Sequence, residues 1–285
     1  MLDTVRPNGC RMSFVGLCVK RLANAAHCIE RIFEGAGLLL TGRLPALLPP
    51  AALTKLIHTH YNRSYDDTYF RFTSTAQEWP LERWEEDVLA RHNIVSGKIL
   101  VLGTGIGRES IALAKRGLHV VGLDISRSAL RMAVQLARTA AVPVTFVQAD
   151  FLTLPARPAN FDYILLPSIM YSSVTSRSWR QTWLRQLTSL LSPKGLTALQ
   201  FLVDSEPSTR RKRVSETINQ WLTKLPGTNR LYQPGDTCPQ GHFLHTFQNE
   251  EELRQELSGT GVVLRELNWQ GQYLVVAASS TERPK

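Results

Sequence analysis

Three glycines on alternate positions, Gly103, Gly105 and Gly107, follow the apolar run Ile99-Leu100-Val101-Leu102. They open an amphipathic segment carrying Ile111, Ala112, Leu113 and Leu118. Seventeen residues past the last glycine, a second apolar run, Val120-Val121-Gly122-Leu123, ends on Asp124. Glycine backbone can turn left-handed and approach a ligand closely. A carboxylate at the end of the next strand can accept hydrogen bonds from both hydroxyls of a ribose. Strand, glycine turn, helix, strand and acid together form a βαβ unit suited to an adenosine-bearing ligand. Gln148-Ala149-Asp150-Phe151, after the third predicted strand, adds a carboxylate for an exocyclic amine and a ring to stack on a base.

Groups able to move a proton are fewer. His242 and His245 stand in Gly241-His242-Phe243-Leu244-His245-Thr246-Phe247, and histidine titrates closest to neutrality. Tyr61 and Tyr65 lie upstream of the glycine turn, where a tyrosine closing over a cationic ligand offers a cation–π contact. The four cysteines, Cys10, Cys18, Cys28 and Cys238, form no CxxC pair and no ligand spacing with histidine. They read as reduced thiols of a cytoplasmic protein, without a metal site.

The elements that must hold these residues alternate along the chain. Strands are predicted near 98–103, 118–124, 143–147, 161–167 and 195–203, and helices near 107–116, 127–139 and 178–191. That rhythm implies an α/β, doubly wound, mainly parallel sheet. Val262–Leu267 and Tyr273–Ala277 are separated by five residues, too few for a crossover helix, so they form an antiparallel hairpin. Upstream, an amphipathic segment over 10–34, a proline-rich connector Pro45–Pro50, and helices from Ala51 and over 80–92 make a helical extension. Downstream, a basic helix spans Thr209–Leu225, opening Arg210-Arg211-Lys212-Arg213, and another spans Asn249–Leu257. The expected division is an extension or cap at 1–92, an α/β domain at 93–278 and a polar tail at 279–285.

At 285 residues the chain can bury a full core. Its 33 Lys+Arg against 24 Asp+Glu give a net charge of +9, which suits a solvated surface, RNA or an anionic membrane face. No stretch reaches the roughly 18 to 20 apolar residues of a membrane span. The basic, amphipathic segment 10–34 allows peripheral membrane contact or packing against a second copy of the chain.

The glycine spacing is G-x-G-x-G, and Arg108 stands where a dinucleotide fingerprint places its third glycine. Five segments in order resemble the class I S-adenosylmethionine-dependent methyltransferases: Val101–Gly107, Val121–Ser126, Ala149–Phe151, Phe161–Ile164 and Leu191–Gly195. The resemblance covers about residues 80–278. It implies a Rossmann-like seven-stranded sheet ending in an antiparallel hairpin, with S-adenosyl-L-methionine as cofactor. It further implies that Gly103, Thr104, Gly105 and Gly107 carry the cofactor's methionine and ribose, and that Asp124 binds the ribose hydroxyls with Ile125 against the adenine. Asp150 would meet the adenine amine with Phe151 beside the ring, Leu166 would line the methyl-transfer mouth, and Tyr61 would close the lid.

In-line methyl transfer needs a positioned acceptor and, for a neutral one, a base. His245 and Tyr171, the latter just past the fourth strand, are the catalytic candidates. The strand-four exit reads Leu165-Leu166-Pro167-Ser168, without the Asn/Asp-Pro-Pro-aromatic turn of base-amine methyltransferases. It carries no cysteine nucleophile, and Ser168–Trp179 holds no carboxylate cluster for a metal. The expected reaction is O- or N-methylation of a small or medium organic acceptor, without DNA. RNA methylation and a nicotinamide-dependent oxidoreductase are the alternatives.

Overall fold

The structure, a computed structural model, describes residues 37, 40–67, 80–154, 161–204, 209–239 and 242–278. The segment 10–34, the side chain of Tyr65 and the tail 279–285 lie outside the described residues. In chain order the elements begin with α1 (Leu44–Leu47), α2 (Pro50–Asp67) and α3 (Arg83–Arg91). The alternating core follows: β1 (Lys98–Leu102), α4 (Arg108–Lys115), β2 (His119–Asp124), α5 (Arg127–Thr139), β3 (Val144–Gln148), β4 (Phe161–Leu166), α6 (Arg177–Ser189) and β5 (Leu191–Gln200). Then come β6 (Leu202–Val203), α7 (Arg210–Leu222), β7 (Asp236–Thr237), β8 (Leu244–Phe247), α8 (Glu250–Ser258), β9 (Val262–Asn268) and β10 (Tyr273–Ala278).

Seven strands make one sheet in the order β3-β2-β1-β4-β5-β10-β9. The first five run parallel, and β10 is antiparallel to both β5 and β9. Helices cover both faces, so Ile99–Leu102 of β1 and Ile164–Leu166 of β4 are continuous buried apolar runs rather than alternating ones. The order reverses between β1 and β4. In such sheets ligands bind in the crevice outside the strands' carboxyl ends at that reversal, and here the glycine turn leaves β1 and Ser168–Met170 leaves β4.

The sheet matches the sequence expectation closely, with two departures. β5 starts at Leu191 rather than near 195, because Ser192–Gly195 bulges where the register with β4 jumps from Phe161↔Leu191 to Tyr163↔Leu196. Leu202–Val203 then leaves the main sheet and pairs with β8, which pairs with β7, in a small second sheet. The boundary expected at 92/93 also cuts through a packed layer. Leu81, Trp84 and Val88 of the α3 region share a core with Val101, Leu113 and Val275 of the α/β domain.

The cap has two sources in the chain. Leu53 and Ile57 of α2 pack against Cys238 and Phe243, from the segment between β5 and α8. Asn229 ties the same segment to α1, donating from Nδ2 to the Pro45 carbonyl at 2.7 Å and from its backbone N–H to the Ala46 carbonyl at 2.9 Å. Tyr61 Oη lies 3.3 Å from Ser173 Oγ, and Thr54 Oγ1 lies 3.2 Å from Thr175 Oγ1. These contacts hold α2 across the carboxyl end of the sheet.

Candidate functional site

The glycine turn is built as its residue types require. Gly103, Gly105 and Gly107 have φ of 67°, 53° and 90°, in the left-handed region that penalises a Cβ. A Cβ on Gly103 would stand 2.1 Å from Met170 Sδ, so the turn also admits a close neighbour. Asp124 at the end of β2 organises the turn from the side: its Oδ2 accepts from the Gly105 N–H at 2.7 Å and its Oδ1 from the Ser126 N–H at 2.8 Å. Burial pushes the Asp124 carboxyl above the usual carboxylate range, and the N–H groups of Ser126, Gly105 and Ile125 draw it partly back.

A cavity of about 250 Å³ opens beside this turn. Gly103, Asp124, Ile125, Asp150 and Phe151 line it from the sheet, and Ile57, His58, His60 and Tyr61 line it from α2. The α2 residues recur at i, i+1, i+3 and i+4, one face of a helix. Ser168 and Met170 complete the wall. Ser168 and Ile169 both hold positive φ, 57° and 54°, a conformation costly for a β-branched residue. Such strain collects at ligand sites, and here it delivers Met170 to Gly103.

At the base end, Asp150 Oδ1 accepts from the Leu152 N–H at 2.9 Å, capping the short turn Phe151–Thr153, while its Oδ2 lies 3.2 Å from His58 Nε2. Phe151 is held by Trp183, whose Nε1 donates to the Phe151 carbonyl at 2.7 Å and whose ring meets the phenyl edge-on at 5.7 Å. The residues fit an adenosine group. Asp124 faces the cavity with each oxygen engaged by one backbone donor, leaving acceptor capacity for a diol. Ile125 and Phe151 supply apolar surface, and Asp150 supplies an acceptor.

Other expected site residues fall elsewhere. Thr104 is buried beneath the turn, its Oγ1 2.6 Å from Ser110 Oγ, and Leu166 is a fully buried core residue. Gly105 and Gly107 shape the turn without lining the cavity. Tyr171 does not face the transfer position: it is fully buried and its hydroxyl donates to Glu256, which Arg180 Nε and Nη2 also grip at 2.8 to 3.1 Å. Burial, and then the Glu256 charge, raise its phenol well above the ordinary value. His245 is likewise fully enclosed, with Nδ1 2.7 Å from Asp236 Oδ1 and Nε2 3.5 Å from Glu252 Oε1. Both candidates join the two sheets and helices α6 and α8, and neither reaches the cavity. Arg108, at the third-glycine place of a dinucleotide fingerprint, turns to Glu82, Glu85 and Glu109.

The histidines that do reach the site are His58 and His60, to which sequence reasoning gave no role. Their signal was the cluster His58-Thr59-His60-Tyr61 on a helix that the tyrosines alone had marked. The His60 ring stacks on His242 at 4.1 Å with an interplanar angle of 20°. Burial, and then the neighbouring His60, push His242 below its ordinary value. Among the described residues no group of three or more His, Cys, Asp or Glu side chains is arranged to hold a metal ion.

Fold and site together define a Rossmann-like domain with a cavity at its topological switch point, lined by residues that fit an adenosine group. Residues 99–195 match the family model described as a methyltransferase domain. That match covers about a third of the chain and agrees with the resemblance to the class I S-adenosylmethionine-dependent methyltransferases read from the sequence. Thiocyanate methyltransferase 1 of Brassica oleracea is 34% identical over 101 residues, covering 35% of this chain and 43% of that protein. A probable thiol methyltransferase 2 of Arabidopsis thaliana is 33% identical over 116 residues, covering 39% and 50%. The chain thus spans about half the length of these relatives. Among solved structures, the fold is shared with a 1,6-didemethyltoxoflavin-N1-methyltransferase of Burkholderia thailandensis, with a TM-score of 0.58 and 16% identity over 82% of this chain and 92% of that one. A methyltransferase of Methanosarcina mazei gives 0.51 and 19% over 70% and 99%.

Proposed function

We propose that this protein transfers a methyl group from S-adenosyl-L-methionine to a small or medium organic acceptor held beneath α2. The observation that carries the reading is Asp124, a buried carboxylate that both ties down the glycine turn and faces the cavity. Asp124 would accept the ribose hydroxyls, Asp150 the adenine amine, and Ile125 and Phe151 would flank the base. When bound, the cofactor supplies an electrophilic methyl on a cationic sulfur. The chain's own work is to position an acceptor, exclude water and take a proton when the acceptor carries one.

Helix α2 does the excluding, with Tyr61 tied to Ser173 across the cavity. His60 is the proton acceptor in this reading, because it lines the cavity and rests on His242, whose burial favours the neutral ring. The acceptor atom is oxygen, nitrogen or, by analogy with the thiol and thiocyanate enzymes, sulfur. We place the reaction in the cytoplasm, where the free thiol of Cys238 stays reduced. Among the described residues no helix is long and apolar enough to cross a membrane.

Titration calorimetry with S-adenosylhomocysteine and with NADH tests the cofactor, and release of S-adenosylhomocysteine from S-adenosylmethionine over a panel of phenols, amines and thiols tests the chemistry. Heat with the nucleoside thioether and none with NADH is expected. Binding of NADH alone would end the reading.

A further inference from the structure

Helix α7 carries apolar side chains on the face turned away from the protein. Its inner face is polar and tied to the cap. Arg43 donates to the Ser215 carbonyl at 2.8 Å and to Asn219 Oδ1 at 2.7 Å, and Asn219 donates to the Gly42 carbonyl at 3.0 Å. On the outer face, Val214, Ile218 and Trp221 fall within about 60° of arc at 3.6 residues per turn. Leu225 follows in the turn after the helix. These four are 51%, 42%, 59% and 37% exposed. Isolated exposed apolar residues need no explanation, but a row of this kind marks a contact surface.

The charges beside the row are cationic. Arg210 and Arg211 occupy the first turn of α7, which holds no acid, and both are exposed. Among the described residues neither forms an ion pair. Cations at a helix N-terminus oppose the helix dipole; Asp204 pairs with Lys212 at this end, and Arg210 and Arg211 present two further cations to an outside anion. The two arginines line an open cleft together with Gly42, Arg43, Val214 and Ile218, so the cationic end and the apolar row are continuous.

Three kinds of partner meet such a face differently. RNA would use the arginines and stack a base on Trp221, but leave the aliphatic Val214, Ile218 and Leu225 unused. A second copy, packed about a two-fold axis, would bring the same arginines together on chains that each carry a net charge of +9. An anionic bilayer uses both features: phosphates for the guanidinium groups, and the headgroup–acyl boundary for the apolar row. We propose that this face docks the protein on a membrane surface rich in anionic phospholipid. Val214, Ile218, Trp221 and Leu225 enter the interface, and Arg210 and Arg211 rest on lipid phosphates.

The test is flotation of the full chain with vesicles of phosphatidylcholine alone and with roughly one third phosphatidylglycerol. Flotation with the anionic vesicles only, weakened by salt, is expected. Each arginine near such a surface contributes about fivefold, so Arg210→Gln with Arg211→Gln lowers partition about 30-fold. Ile218→Asp with Trp221→Asp abolishes it. Both pairs keep the wild-type melting temperature, because the side chains are exposed. Absence of flotation by the wild type overturns the proposal, and so does wild-type flotation of Ile218→Asp/Trp221→Asp, which would put membrane contact elsewhere in the chain. Light scattering that shows a dimer dissolved by the apolar pair, without flotation, assigns the face to a second copy instead. RNA retention lost only in the arginine pair, again without flotation, assigns it to RNA.

Discussion

Replacing Asp124 by Asn separates its two duties. The carboxylate accepts from Gly105 at 2.7 Å and from Ser126 at 2.8 Å, one donor on each oxygen. Asparagine keeps one carbonyl oxygen and turns an NH2 toward the other backbone donor. One hydrogen bond to a charged acceptor is therefore lost, worth about 1.5–3 kcal/mol. At about 2–4 °C per kcal/mol, the melting temperature of the free protein falls by about 3–12 °C. The same exchange removes one charge-assisted bond to a ribose hydroxyl, so S-adenosylhomocysteine binds about 10- to 150-fold more weakly. Alanine loses both backbone bonds and both ribose bonds, so its larger cost falls on folding as well as on affinity. Calorimetry at a temperature well below the variant's melting point reads affinity alone, and differential scanning reads the turn. A folded Asp124→Asn protein that binds the nucleoside with wild-type affinity would refute the assignment of the cavity to the cofactor.

Tyr171→Phe removes only the bond to Glu256, so stability falls by about 1–3 kcal/mol while turnover per folded molecule stays within about twofold; a large drop in kcat at unchanged melting temperature would return the tyrosine to the chemistry. Gly103→Ala puts a Cβ 2.1 Å from Met170 Sδ at a φ of 67°, so calorimetry should show S-adenosylhomocysteine affinity lost before the fold is, and wild-type affinity would show the turn to be remote from the ligand. Burial, and then the neighbouring Glu109, raise Glu85 to about 8. The neutral acid is therefore the form favoured by folding: its stabilisation is complete below the ordinary carboxylate range and is lost as pH rises toward about 8, by up to about 1.4 kcal/mol per pH unit. Glu85→Gln should flatten the fall of melting temperature over that window, and a wild-type-minus-variant difference independent of pH would contradict it. His60→Ala should lower kcat about 100-fold or more for a neutral acceptor, with cofactor affinity intact; equal losses for neutral and already anionic acceptors would show that the ring positions rather than deprotonates.

The sheet was legible because its signals are local. Apolar runs, left-handed glycines and helix caps such as Ser126 and Thr209 each lie within a few residues of the element they define. That Asp124, Ile125, Asp150 and Phe151 would meet at one cavity was legible for the same reason, since each stands at or just past the end of a strand. What failed needed knowledge of side-chain direction across long separations. Tyr171 sits at the right place in the chain, but Glu256, 85 residues away, claims its hydroxyl for the core. His245 lies in β8, and its partner Asp236 comes from β7, a two-residue strand in a segment for which no element was predicted. His58 and His60 were missed for the converse reason: nothing local to α2 says that the helix crosses the crevice, which is decided by ties to Asp150 and Ser173.

The two halves of the site therefore differ in what relatives can say about them. The methyltransferase match spans residues 99–195, which contain the glycine turn, Asp124, Asp150, Phe151, Ser168 and Met170. Every α2 residue facing the cavity lies before that span, and His242, Phe243 and Cys238 lie after it. In the proposed reading, the cofactor half lies within the match, whereas the acceptor half is assembled from two segments outside it. A pocket wall formed by α2 packing on Phe243 changes shape when either segment changes, so on this reading acceptor choice follows their interface rather than the shared sheet. Relatedness to thiol and thiocyanate enzymes then supports the transfer of a methyl group more strongly than the identity of the atom that receives it. An acceptor screen aimed at the surface formed by Ile57, His60 and Tyr61 tests the half of this protein that is its own.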